Sequence, residues 1–281
     1  MKISTVILGF TLGASVFSAN AEKFKVCADP LNPPYSSQKE DGFENKIASL
    51  FAKSLGQELE YFWLPQRIGF IRNSLNAFTD ENAVESKEFK CNIVMGMPEG
   101  SDMVQTTQPY YHSTYVLLIA KGRGWDNIQT AEQLAKLSPT QQAKLKIAMF
   151  DRGAGTDWLQ KHDLIDQGIP YQSMTGDSEH NVAMQMSDDL KAKKIDMVIL
   201  WGVLAGHVIA QNPNGYNVIP MKSEAGVKVD YQMAVGVRKN DNERKTQLDK
   251  LISEKSAEIN AILSQYHIPL LPLEAVHSKK D

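Results

Sequence analysis

Phe24-Lys25-Val26-Cys27-Ala28-Asp29-Pro30-Leu31-Asn32-Pro33-Pro34-Tyr35 is a short apolar run that stops in a turn-rich loop. Such a run, closed by Asp, Asn and Pro, reads as a strand over 24–28. Just downstream, Phe43, Ile47, Leu50, Phe51 and Leu55 recur at the three- and four-residue spacing of one helical face. Asp41 is the expected N-cap of that helix and Gly56 its stop. Apolar residues return over 58–63. Pro65-Gln66-Arg67 then leads to a second helix carrying Ile68, Ile71 and Leu75, and 91–97 again reads as a strand. The order β-α-β-α-β predicts a parallel sheet, because parallel neighbours need a crossover between them.

Further along, strands are expected at 115–120, 145–150, 195–200, 216–220 and 231–237. Helices are expected at 156–165, near 179–192, at 202–210 and over about 243–265. The last of these carries Leu248, Leu251, Ile252, Ile259, Ile262 and Leu263 on its buried face. No repeat, low-complexity run or long linker interrupts the pattern. The fold class is α/β, and the 281 residues suffice for two lobes, each with its own core.

Upstream, Lys2 precedes an almost uncharged apolar run, Ile3 to Phe17, that ends at Ala19-Asn20-Ala21. The run is shorter than the ~20 residues a membrane-spanning helix needs. It reads as a secretory signal peptide, residues 1–21, cleaved after Ala21 and leaving no membrane anchor. Export to an oxidising compartment gives Cys27 and Cys91 a meaning. If their strands are neighbours, the two form a disulfide; the alternative is two buried thiols. The formal charge of -3, from 30 Lys+Arg against 33 Asp+Glu, carries no electrostatic footprint for nucleic acid. The six histidines show no metal-site spacing, so no metal is expected. No nucleophile–base–oxyanion arrangement is visible either, and the chain reads as a non-enzyme.

The Asp-Pro-x-x-x-Pro-Pro-Tyr loop after the first strand, and Pro109-Tyr110-Tyr111 before strand 115–120, are similar to type II periplasmic solute-binding proteins. That resemblance implies two lobes joined by two crossing strands, at about 115–121 and 229–238. It divides the chain into a first part of lobe 1 (22–118), lobe 2 (119–228), and a return to lobe 1 with the C-terminal helix (229–281). Amino-acid receptors of this type place an Arg nine residues before Pro-Tyr-Tyr and an acid after the strand matching 195–200. Here those positions hold Gly100 and Trp201. Without that pair of charges a zwitterion has nothing to hold it.

A narrower resemblance accounts for both departures. It is carried by Cys27-Ala28-Asp29-Pro30, by Trp63-Leu64-Pro65-Gln66-Arg67 with Gly69-Phe70-Ile71-Arg72, and by Cys91-Asn92-Ile93-Val94-Met95-Gly96. It continues through Pro109-Tyr110-Tyr111 with Ser113-Thr114-Tyr115, through Gly155-Thr156-Asp157-Trp158-Leu159, and through Asp196 with Ile199 and Trp201-Gly202. The set resembles the quinoprotein-dehydrogenase-associated binding proteins of the MxaJ/XoxJ (MoxJ) group, with Val203 standing where Pro is expected. The resemblance implies a periplasmic accessory protein that assists maturation or activation of a methanol dehydrogenase dependent on pyrroloquinoline quinone (PQQ). The implied partner is that dehydrogenase, of calcium or lanthanide type, with its cytochrome c as a second candidate. No cofactor is expected to bind firmly, and PQQ is a candidate transient ligand. The alternative is a receptor that delivers a solute other than an ordinary amino acid to an ABC importer.

The candidate cleft residues are Asp29, Tyr35, Trp63, Arg67, Tyr110, Tyr111, Gly155, Thr156, Asp157, Trp158 and Trp201. The aromatic members suit stacking on a ligand or anchoring a protein segment, and equally suit filling the space between lobes. The stretch from Asp151 to Asp157 reads either as an anion-binding turn at a helix start or as an ordinary βα turn with Thr156 as N-cap. Arg67 and Arg72 read as carboxylate binders or, more simply, as ion-pair partners of Glu99. His207 is expected inside an apolar helix.

Overall fold

The computed structural model describes residues 22–82, 87–173 and 182–273. The expected signal peptide and the first residues of the helix near 179–192 lie outside these. Strand β1 (Phe24–Ala28) is followed by a small hairpin of β2 (Leu31–Asn32) and β3 (Ser36–Ser37), then α1 (Phe43–Leu55) and β4 (Leu59–Trp63). Next come α2 (Phe70–Asn73), β5 (Ile93–Pro98) and the long β6 (Gln105–Ala120). The middle of the chain forms α3 (Pro139–Gln142), β7 (Ile147–Phe150), α4 (Ala154–Lys161), β8 (Gly168–Tyr171), α5 (Val182–Lys191), β9 (Met197–Trp201), α6 (Gly202–Gln211) and β10 (Tyr216–Pro220). The chain closes with β11 (Asp230–Val237), α7 (Asn242–Glu254), α8 (Ser256–Gln265) and β12 (Leu270–Leu271).

β1 lies between β4 and β5 and is parallel to both, as the alternating pattern requires. β11 then inserts antiparallel between β5 and β6, giving a first sheet in the order β4-β1-β5-β11-β6. The far part of β6 belongs to a second sheet, where Tyr115–Ile119 pairs with β9 and Val116–Ala120 with β10. β7 and β8 extend that sheet in parallel. One strand thus runs through both lobes. It starts ten residues before the strand expected at 115–120, because Pro109, which reads as a break, sits at a register shift opposite Met233 and Ala234. An irregularity of this kind is where an antiparallel ladder tolerates a residue without an N–H.

α1, α7 and α8 cover one face of the first sheet. Phe43, Ile47, Phe51, Leu248, Leu251, Ile259 and Leu263 close over Phe24, Val26, Ile93 and Val235. The single helix expected over 243–265 is two, broken at Lys255, and both halves keep apolar residues in this core. Helix α1 is capped by Gly42, not Asp41. The Asn45 Oδ1 accepts from the backbone N–H groups of Gly42 and Ser37, while the Asp41 carboxylate accepts the Ser37 hydroxyl at 2.6 Å. Gly56 ends the helix at φ 65, a conformation glycine adopts without strain. α2 is shorter than expected. It begins after a left-handed turn at Gly69, which leaves Ile68 outside the helix and 89% exposed, while Ile71 and Leu75 are buried.

Cys27 and Cys91 are joined by a disulfide, with Cα atoms 5.5 Å apart, and among the described residues no cysteine is free. Where the lobes meet, β6 is pinned by its neighbours. The Thr114 hydroxyl donates to Met221 O and the Ser113 hydroxyl to Pro269 O. The buried His112 ring reaches Pro272 O through Nδ1 and the Asp230 carboxylate through Nε2. β12 adds itself to the same stretch, at Ser113 and His112.

Candidate functional site

The carboxyl ends of the parallel strands in each lobe carry the loops that face the other lobe, the usual place for a ligand in open α/β sheets. In lobe 1 the loop after β1 is held by Asp29, whose carboxylate accepts from the N–H of Leu31 at 2.8 Å and of Gln66 at 2.6 Å. Asp29 therefore ties two loops together. Its oxygens are occupied by the backbone.

That loop delivers Tyr35, with Phe43 beneath it at 5.6 Å between ring centroids. Trp201 ends β9 directly opposite Tyr115 in the ladder and packs against Tyr115 at 5.6 Å and Tyr231 at 5.8 Å. Trp201 belongs to a lobe 2 strand, yet it rests on the edge of the lobe 1 core together with Tyr35 and Tyr231. Burial raises the Tyr35 hydroxyl well above the usual phenol range, and the nearby Glu44 charge adds to this. A hydrogen bond from the Trp201 side chain partly offsets both. Burial also pushes Tyr115 up to about 12, with the charges of Tyr231 and Asp157 contributing. Tyr35, Tyr115, Trp201 and Tyr231 thus form one aromatic wall drawn from both lobes.

Deeper in lobe 1, Tyr110 and Tyr111 are each 2% exposed, with rings 5.0 Å apart. The Tyr110 hydroxyl accepts from the N–H of Gly96 at 3.2 Å. Glu44, in the first turn of α1, lays its carboxyl against Gly96. A Cβ there would collide with Glu44 Oε1, and φ 64 favours glycine. Burial pushes the Glu44 carboxyl up to about 8. The folded protein therefore favours the protonated acid. The contribution of Glu44 to stability is greatest below the ordinary carboxylate range and falls as pH rises towards 8, by at most about 1.4 kcal/mol per pH unit. Glu44→Gln is expected to flatten that slope and to be more stable than the wild type by on the order of 2 kcal/mol above about pH 8. Denaturant midpoints measured across pH check this, and parallel curves for the two proteins would contradict it.

The remaining candidates lie elsewhere. Trp158 is 1% exposed and sits in the lobe 2 core, 4.3 Å from the His162 ring, so it does not face the cleft. Gly155 is packed against Ile199 and Met149, and the Thr156 hydroxyl donates to Phe150 O at 2.6 Å. Gly153, not Thr156, caps α4. The Asp151–Asp157 stretch is the turn between β7 and α4 with the start of that helix, from which exposed Asp157 acts on Tyr115 and Tyr231 through its charge. Trp63 stacks on Tyr61 at 4.5 Å. Arg67 and Arg72 are exposed and form no ion pair with Glu99, whose carboxylate instead accepts from the Gln232 amide at 3.0 Å. His207 is half-buried, and burial lowers its proton affinity.

Glu44, Tyr115 and Tyr231 are the residues the sequence reading missed as site components. An acid in a helix's first turn has an ordinary dipole explanation, so Glu44 carried no signal. Tyr115 stood at the end of a quoted motif and was legible. Gly100, the position of the absent carboxylate clamp, lines a groove of about 740 Å³ with Lys245 and Asp249 of α7. Among the described residues no three His, Cys, Asp or Glu side chains converge as metal ligands, and no helix is long and apolar enough to cross a membrane.

Two α/β lobes threaded by one strand, with a cleft at the carboxyl ends of their parallel strands, define a type II periplasmic binding protein. Comparison with known proteins narrows the class. The crystal structure of the periplasmic binding protein XoxJ from Methylobacterium extorquens AM1 shares 30% identity and superimposes with a TM-score of 0.69, covering 89% of this chain and 99% of that one. MxaJ from Methylophaga aminisulfidivorans MPT superimposes with a TM-score of 0.72 at 22% identity, over 89% of this chain and all of that one. Protein MoxJ of Methylorubrum extorquens is 23% identical over 276 residues, 92% of this chain and 85% of its own length. No protein-family model matches. The chain belongs to the MxaJ/XoxJ (MoxJ) group of periplasmic binding proteins.

Proposed function

We propose that this protein works in the periplasm, after cleavage following Ala21, as an accessory of a PQQ-dependent methanol dehydrogenase. Its role is binding: the two lobes clasp a segment of the immature enzyme and so assist its maturation or activation. Membership of the MxaJ/XoxJ group supports the partner, and the dehydrogenase's cytochrome c is a second candidate. The observation that carries the binding mode is the wall of Tyr35, Tyr115, Trp201 and Tyr231, contributed by both lobes. Large aromatic side chains with raised phenol pKa values give broad contact area with little ordering cost, which suits a peptide segment. PQQ is a weaker occupant. Its carboxylates would approach the Asp157 charge that already acts on Tyr115 and Tyr231, and like charges in a partly desolvated cleft repel.

The test is genetic and enzymatic. A strain lacking the protein, grown on methanol, is expected to export the dehydrogenase polypeptide while its periplasm shows several-fold lower dehydrogenase activity. A plasmid copy of the gene restores it. Full activity in the deletion strain, together with lost uptake of a solute, would contradict this reading and favour the importer receptor.

A further inference from the structure

We propose that Glu44, Tyr35, Tyr110 and Tyr111 form a binding site for an alkylammonium group at the lobe 1 wall of the cleft. This rests on the cleft being the working surface of the protein and adds the chemistry of what enters it. Three independent features of the molecule converge there.

The first is an acid without a counterion. Glu44 is part-exposed, and among the described residues no lysine, arginine or histidine forms an ion pair with it. The surrounding backbone makes room for it, since glycine at position 96 is what allows its carboxyl to lie flat on the strand. The second is an orphaned hydroxyl. Tyr111 is 2% exposed and its hydroxyl has no hydrogen-bond partner, a costly arrangement for a buried polar group. The charges that act on it are those of Tyr110, Tyr35 and Glu44, so it belongs to the same cluster. The third is the rings themselves. Aromatic faces attract organic cations, more strongly where water is excluded.

An ammonium answers all three features. It neutralises the carboxylate, donates to the Tyr111 oxygen and sits against the rings. An anion would keep Glu44 protonated and find no cationic partner there. A hard divalent metal needs six or more oxygens, and one carboxylate among phenols does not supply them. The raised proton affinity of Glu44 fits the same picture. Without a ligand the site is neutralised by a proton, and ammonium entry replaces it: Glu44 loses H⁺ to solvent as the cation arrives, so charge balances.

The alkylammonium has two possible sources, a small free amine or a lysine side chain of the partner. Titration calorimetry of the protein from Glu22 onward, with n-butylammonium chloride, tests the site itself. Affinity is expected to rise several-fold per pH unit between about pH 6 and 8 and then level, with about one proton released, read from buffers of different ionisation enthalpy. Glu44→Gln should lose at least tenfold in affinity together with the pH dependence, and Tyr111→Phe a few-fold. Absence of binding at every pH, or equal binding by folded Glu44→Gln, would overturn the proposal. Tetramethylammonium bound equally by wild type and Glu44→Gln would assign attraction to the rings alone and overturn the part given to Glu44. For the source, dehydrogenase capture is repeated with excess n-butylammonium. Displacement supports a partner lysine, and retention supports a small amine. Failure to capture any dehydrogenase, with amine binding intact, would sink the accessory role and leave the site standing.

Discussion

Replacing Cys27 and Cys91 together with alanine is expected to destabilise the protein by about 4 kcal/mol, the chain-entropy value for a closed interval of this length. The bond spans 64 positions, a stretch that contains α1, β4 and α2. It links β1 to Cys91, two residues before β5, the direct neighbour of β1 in the sheet. Cys27 and Cys91 are 2% and 0% exposed and sit in a small core with Phe70, Ile71, Leu75 and Val94. The Cys91 carbonyl also accepts from the Arg238 guanidinium at 2.6 Å, which draws the end of β11 to the same place. Losing the cross-link frees the α1–α2 segment in the unfolded chain and leaves a void in this core. Guanidinium unfolding of the double variant beside the wild type reads the difference, and alkylation without reduction should label neither cysteine of the wild type. An unchanged midpoint, or labelling of both thiols, would contradict this account of lobe 1.

Gly42→Ala is expected to cost about 3 kcal/mol and to disturb the cleft as well. Its backbone is ordinary, with φ −73 and ψ 156, so the penalty is steric rather than conformational. An added Cβ would collide with the carbonyl oxygen of Tyr35 and stand 2.7 Å from the Ser36 nitrogen. Both are backbone atoms, held by the Glu44 N–H to Tyr35 O bond at 3.0 Å and by the Asn45 bridge from Gly42 to Ser37. They cannot swing aside as a flexible side chain can. The loop that presents Tyr35 must move, and with it the contact between Tyr35 and Trp201. A lowered unfolding midpoint accompanied by altered tryptophan fluorescence is the expected pair of results. A midpoint within about 0.5 kcal/mol of the wild type would show that the loop is looser than its hydrogen bonds imply.

Much of the architecture was legible from local chemistry. The three- and four-residue spacing from Phe43 to Leu55 specifies α1, and the alternation of strand and helix specifies parallel pairing around β1. Export favoured the disulfide on the condition that the two cysteine segments be neighbours, and the pairing of β1 with β5 meets it. What escaped depends on tertiary context. Pro109 hid the first ten residues of β6, because a proline that breaks one ladder is accommodated at a bulge in another. Trp158 was misplaced although its address was available. Ala154, Gly155, Trp158 and Leu159 lie on one face of α4, and that spacing points the indole into the lobe 2 core. Ile68 was assigned to a helix that Gly69 delays past it. The meeting of Tyr35 with Trp201 comes from opposite lobes, and no spacing along the chain encodes it.

The central claim is that the aromatic wall shared by the lobes holds a dehydrogenase partner. The most direct measurement uses the tagged protein from Glu22 onward as bait in periplasm of methanol-grown cells, with Trp201→Ala beside it and captured proteins identified by mass spectrometry. Trp201 sits on the edge of the lobe 1 core and is only part-buried, so the variant is expected to stay folded, which unfolding curves will verify. The account predicts recovery of a PQQ-dependent dehydrogenase by the wild type and at least tenfold less by folded Trp201→Ala. Equal recovery by both would place the contact away from the cleft, and recovery by neither under mild salt would contradict a stable complex altogether.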